Sequence, residues 1–137
     1  MTFSHVGTDL VWIPDLVDSV ARHGQRFIAR VFTEGEMAYC RAAPSDCALS
    51  IVPSYASLAV RFAAKEAVMK LLRPDSDTVL LWTSIDVIRT SQGAPEIRLS
   101  GNAEKLAKIA GFSRIEVSLT HAGDYASATA LAVLAAV

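Results

Sequence analysis

A chain of 137 residues is expected to form one domain over 1–137, large enough to bury a core without disulfide or metal staples. Hydrophobic residues make up 52% and charged residues 20%, with a formal net charge of −1, which argues against a nucleic-acid binder but leaves room for a local basic pocket. Cys40 and Cys47 lack the paired spacing of a zinc site and read as free thiols of a reducing compartment. No secretory signal precedes His5 and Asp9, and the apolar tail 126–137 is shorter than the ~20 residues that span a bilayer. A cytoplasmic protein with no membrane and no nucleic-acid partner is expected.

Residues 3–13 are apolar and β-rich, interrupted by Gly7, Thr8 and Asp9. An ionised carboxylate in such a strand is costly unless paired or metal-bound. The plainer alternative is an Asp at a strand end that caps a nearby loop. Pro14 can open a helix over 15–23 that ends near Gly24, and a second short helix is expected over 26–32. Thr33-Glu34-Gly35-Glu36 reads as a capping box starting a helix to about Arg41. Residues 42–53 hold two prolines, two serines and an aspartate, the composition of a loop. Ser54 is a candidate N-cap.

Residues 55–72 are apolar almost all the way round, the pattern of a helix buried on most sides. At about 100° per residue, Ser57, Arg61 and Lys65 share one narrow stripe, and Glu66, Lys70 and Arg73 share a second. A carboxylate among cations on a central helix suits a divalent metal held beside phosphate groups. A plain amphipathic helix, with Glu66 and Lys70 paired at i,i+4 on a wet face, is the other reading. Arg73-Pro74 ends the helix, and 75–78 is a polar loop. Beyond it the period changes to two. Strands are expected over 80–90 and 97–100 around a turn at Gln92-Gly93-Ala94-Pro95. Asn102 is expected to cap a helix through Ala110, with Gly111 as its left-handed C-terminal residue. Residues 115–121 alternate as a strand, Ala122-Gly123-Asp124 turns, and 125–133 returns as a small-residue strand. The class is α+β, with helices grouped in the first half and an antiparallel sheet in the second.

Gly7-Thr8-Asp9, the run Arg61-Phe62-Ala63-Ala64-Lys65-Glu66-Ala67-Val68-Met69-Lys70, and Val117-Ser118-Leu119-Thr120-His121 before Tyr125-Ala126 resemble the holo-acyl-carrier-protein synthase family. These are the short 4′-phosphopantetheinyl transferases. Arg26-Phe27, Phe32-Thr33, the turn at Gly93-Ala94-Pro95 and Gly101 fall in the matching order, so the resemblance runs nearly end to end.

The resemblance implies transfer of 4′-phosphopantetheine from coenzyme A to a serine of an apo acyl carrier protein of fatty-acid or polyketide biosynthesis, releasing 3′,5′-ADP. It implies the transferase fold, with helices packed on an antiparallel sheet, assembled as a homotrimer with sites between subunits. By the same resemblance Asp9 and Glu66 are Mg²⁺ ligands, and Asp9, Glu66, Lys70 and His121 are the catalytic set. Lys70 would meet the pyrophosphate of coenzyme A, Lys65 and Arg61 would be candidates for its other phosphates, His121 would lie near the nucleotide, and Arg22 and Arg26 would face the carrier. Three departures stand out, the first being Asp15 and Asp18 near the start of the helix that carries Arg22. The stretch after Lys70, Leu71-Leu72-Arg73-Pro74-Asp75-Ser76-Asp77, lacks the family's glycine, and Trp12 stands where many relatives have an acid. A catalytically inactive carrier-binding module of the same fold is the competing expectation.

Overall fold

The computed structural model describes residues 3–42 and 54–136. Most of the loop expected over 42–53, with Cys47, lies outside the described residues. The elements run β1 (Phe3–Trp12), α1 (Ile13–His23), α2 (Gln25–Val31), α3 (Glu34–Ala42), α4 (Tyr55–Leu72), β2 (Ile85–Arg89), β3 (Pro95–Leu99), α5 (Gly101–Ile109), β4 (Phe112–Ala122) and β5 (Tyr125–Leu134).

The expected α+β class holds, but the sheet is not confined to the second half. β1 pairs antiparallel with β5, which pairs antiparallel with β4, in the order β1-β5-β4; β2 and β3 form a separate hairpin. Both ends of the chain therefore close one three-stranded sheet. On its inner face Ala126, Ala128, Ala130 and Ala132 of β5 are all buried, and α4 lays Ala59, Ala63, Ala64 and Ala67 into the same core. Small side chains on both surfaces bring helix and sheet close together. Leu58, Val68 and Leu71, all fully buried, fill the remaining space, each stabilising by about 1.5–3 kcal/mol relative to exposure.

The local signals account for most helix ends. Glu36 N donates to Thr33 Oγ1 (3.1 Å) and Thr33 N donates to Glu36 Oε1 (2.8 Å), a complete capping box. Ser54 Oγ accepts from Ser57 N at 3.2 Å as the cap of α4. Pro14 lies in the first turn of α1. At the end of α4, Arg73 is left-handed with φ of 50°, ahead of Pro74.

Two expectations are corrected. The strand expected over 80–90 begins only at Ile85, because Trp82–Ser84 forms one turn of 3₁₀ helix, with Ser84 N donating to Leu81 O at 3.0 Å. Lys65 Nζ, arriving from α4, donates to the carbonyls of Trp82 (3.0 Å) and Ile85 (2.5 Å), and a regular ladder would not turn both carbonyls to one point. Asn102 is not the cap of α5. Ser100 occupies that position, and Asn102 Nδ2 donates to Val79 O at 2.9 Å instead. No helix among the described residues is long and apolar enough to cross a membrane.

Gly7 is the point of closest approach: a Cβ built there would lie 1.9 Å from Ala67 O and 3.2 Å from Leu71 N. Both are backbone atoms and cannot swing away. Gly7→Ala is expected to lower stability by about 1–3 kcal/mol or more, read from the midpoint of urea unfolding. An unchanged midpoint would mean that β1 and α4 are not held at this distance.

Candidate active site

The close seat of α4 on β1 brings three of the predicted residues together. Alternation along β1 turns Gly7, Asp9 and Val11 towards α4, while Val6, Leu10 and Trp12 stay exposed on the outer face. Asp9 and Glu66 line one cleft of about 320 Å³ between β1, α1 and α4. Its other walls are apolar or aromatic, including Trp12, Leu16, Phe27 and Phe62, with Asp15 and Ser19 at α1. Backbone contacts fix the acidic strand: Ser127 Oγ donates to Asp9 O (2.9 Å) and Thr8 Oγ1 to Ala128 O (3.1 Å).

Lys70 does not form the i,i+4 pair with Glu66 that the helix pattern allows. Its Nζ reaches across to Asp9 Oδ1 at 3.0 Å and donates to Thr8 O at 2.9 Å. The side chain of Lys70 is 54% exposed and that of Asp9 16%. Glu66 is half-buried and its carboxyl is held above the ordinary value, first by burial, then by the neighbouring Asp9 charge, with Lys70 pulling the other way. Two carboxylates from separate elements that share one cleft form a donor set suited to a divalent cation. Among the described residues no three His, Cys, Asp or Glu side chains converge on a metal position. Asp9 and Glu66 would therefore supply only part of a coordination shell, as Mg²⁺ requires when substrate oxygens and water complete it.

The other predicted residues lie elsewhere. Lys65 and Arg61 are corrected. Lys65 is fully buried, ion-paired to Glu36 Oε1 at 2.8 Å, and its two further donors go to the carbonyls of Trp82 and Ile85. Arg61 is 1% exposed, donates to Ser57 O at 2.9 Å, and stacks over the Tyr39 ring at 4.2 Å. Neither faces the carboxylate cleft, because the stripe they share packs into α3 and β2. Lys65's ammonium is desolvated, which pulls its pKa down, and Glu36 pulls it back up. Burial also pushes the neighbouring Cys40 thiol up to about 11, an inert state for a thiol.

His121 is exposed near the end of β4, in register with Ala126, which itself pairs with Val11. It is thus on the inner-face register two strands from β1, roughly 9–10 Å across the sheet. Among the described residues no hydrogen bond or ion pair joins it to Asp9, Glu66 or Lys70.

Arg22 pairs with Asp18 at 3.0 Å on α1, and Arg26 lines a shallow surface pocket with His23, Phe27 and Arg30. The sequence reading missed Arg30 as part of this basic rim, although its i+4 spacing from Arg26 was available. It also missed Phe27 and Phe62 as cleft walls, which no local signal marks. A larger cavity of about 640 Å³, between α2, α3 and Thr83, contains none of the predicted site residues.

Comparison with known proteins places this geometry. Residues 5–130 match the model of the 4′-phosphopantetheinyl transferase superfamily. The chain is 38% identical over 133 residues to the holo-[acyl-carrier-protein] synthase of Chlamydia pneumoniae, covering 97% of this chain and 99% of that one. Its structure is similar to the holo-[acyl-carrier-protein] synthase of Neisseria meningitidis, with a TM-score of 0.80 and 25% identity over 96% of this chain and 99% of that one. It is also similar to an ACPS–CoA complex from Chronobacterium ammoniagenes, with a TM-score of 0.75, 28% identity, and coverage of 99% and 100%.

The raised pKa of Glu66 has a consequence for stability. A carboxyl whose folded pKa lies above its unfolded value opposes folding once pH rises above the unfolded value, here near 4.5. Metal-free Glu66→Gln should therefore melt above the parent at pH 7, with the difference vanishing below pH 4.5, as followed by circular dichroism. Equal melting at pH 7 would mean that the Glu66 charge carries no penalty in the empty cleft.

Proposed function

The chain belongs to the 4′-phosphopantetheinyl transferase superfamily, and we propose that it holds the divalent metal of its reaction between Asp9 and Glu66. It is a holo-acyl-carrier-protein synthase: it moves 4′-phosphopantetheine from coenzyme A to a serine of an apo acyl carrier protein and releases 3′,5′-ADP. The observation behind the metal reading is the carboxylate pair itself, two acids from separate elements lining one cleft, with Lys70 beside Asp9. Mg²⁺ bound there would neutralise charge on the attacked and departing phosphates.

The reaction asks the protein mainly for positioning and charge. The serine oxygen forms a bond to the phosphorus nearer pantetheine, and the bond from that phosphorus to the bridging oxygen breaks. Two of the three Lys70 N–H donors are occupied by Asp9 and Thr8, leaving one for the departing phosphate. His121 contacts the nucleotide, and the basic rim of Arg22 and Arg26 meets the acidic carrier, joined by Arg30. The reaction takes place in the cytoplasm and serves carriers of fatty-acid or polyketide biosynthesis.

The test is intact mass. Apo carrier incubated with coenzyme A, Mg²⁺ and this protein should gain one phosphopantetheine. Asp9→Asn and Glu66→Gln should stay folded and lower the rate by orders of magnitude. Either variant working at the parental rate removes that residue from the metal site. Carrier bound without a mass change would leave only a binding module.

The active assembly is a homotrimer. Its support is the outer face of the three-stranded sheet, where Val6, Leu10, Trp12, Tyr125 and Leu131 are all exposed on neighbouring strands. The separation of His121 from the carboxylates within one chain also fits a site completed between subunits. Leu10→Glu should give a monomer by light scattering and lose turnover. A fully active parental monomer would end this reading.

A further inference from the structure

We propose that the buried Lys65–Glu36 pair is a positioning device: it sets the rotation of α4 that turns the adjacent Glu66 into the cleft. This inference rests on the metal reading of Glu66.

The pair is a hub joining four elements. Glu36 Oε1 accepts from Lys65 Nζ and Thr33 N, each at 2.8 Å, and Oε2 accepts from Val87 N at 2.9 Å. Lys65 Nζ spends its remaining donors on the Trp82 and Ile85 carbonyls. Thr33 Oγ1 extends the network to Asp86 Oδ1 at 2.8 Å. Every polar contact of the ammonium is directional and saturated, with both side chains 0% exposed.

Stability alone is a poor reason for such a pair, since hydrophobic replacements of buried ion pairs are often neutral or stabilising. Orientation is a better one. On the sheet side, alanines and Gly7 fix how close α4 comes and Lys70 ties it to Thr8 and Asp9; the Lys65–Glu36 contacts supply the buried polar grip on α3 and β2 that completes its orientation. The Lys65 contacts grip the side of α4 away from the carboxylates. Glu66 is the next residue, so a rotation of α4 permitted by loss of that grip swings its carboxylate away from Asp9. The hub has a second route to the cleft. It holds the turn carrying Trp82, whose ring stacks on Phe62 at 5.0 Å, and Phe62 is a wall of the cleft beside Glu66.

Binding of Mn²⁺ alone, read by the loss of its free EPR signal, tests the proposal on the full chain. The variants are Lys65→Met, and Lys65→Met with Glu36→Gln, which removes both charges. Melting temperature is recorded for each. The expected result is Mn²⁺ affinity 10–100-fold weaker in both, the range for a lost supporting contact. The double variant should recover part of the melting temperature without recovering affinity. Lowered melting with Mn²⁺ affinity within twofold of the parent would show a merely structural pair and overturn the proposal. If Lys65→Met does not fold, Glu36→Gln alone is read in the same way, at a temperature where its circular dichroism matches the parent. Glu66→Gln separates the two readings: parental Mn²⁺ affinity there defeats the metal assignment itself, whatever the Lys65 variants show.

Discussion

Gly7 lies so close to the carbonyl of Ala67 that no side chain fits between strand and helix, and the rest of the site follows from that contact. With β1 and α4 held backbone to backbone, Asp9 sits two residues along on the same face of the strand. Lys70 then reaches both its carboxylate and the Thr8 carbonyl. The alanine surface of β5 continues the same flat seat beneath α4. A glycine and a row of alanines contribute little hydrophobic area individually. Their value is distance, which decides whether two carboxylates on different elements share one cleft.

The central helix divides its polar residues between two tasks. One stripe, Arg61 and Lys65, is consumed by the interior: an ammonium with three partners and a guanidinium laid on an aromatic ring. The next stripe, Glu66 and Lys70, stays at the surface, where charge is left available to a ligand. Burial explains the difference. The Lys65 ammonium, cut off from water, has all three donors taken by the protein and nothing left to offer a phosphate, while Arg61 is buried with its Nε unpartnered among the described residues.

The outer face of the sheet has a different logic. The strand that brings Asp9 inward also presents Leu10 and Trp12 outward, because successive side chains alternate. Any copy docking on that face is therefore coupled through β1 to the position of Asp9. Trp12, in place of an acid, belongs both to this exposed apolar row and to the wall of the cleft.

The sequence by itself determined the local punctuation and the family. The Thr33–Glu36 box, the Ser54 cap and Pro14 each act over a few residues, and each forms as its spacing requires. The motifs around Asp9, Glu66 and His121 carried the activity, and the match over residues 5–130 bears out the family. Tertiary structure decided which polar stripe of α4 is used up. Helical periodicity places Arg61 with Lys65 and Glu66 with Lys70, but it cannot say which stripe meets Glu36, since that partner arrives from another helix. The same contact broke the expected strand before Ile85: alternation is a local preference, and two carbonyls turned to one buried ammonium outweighed it. Long-range electrostatics is settled only when the chain has closed on itself, which is why a lysine that looked like a phosphate ligand in the sequence is a bolt in the core.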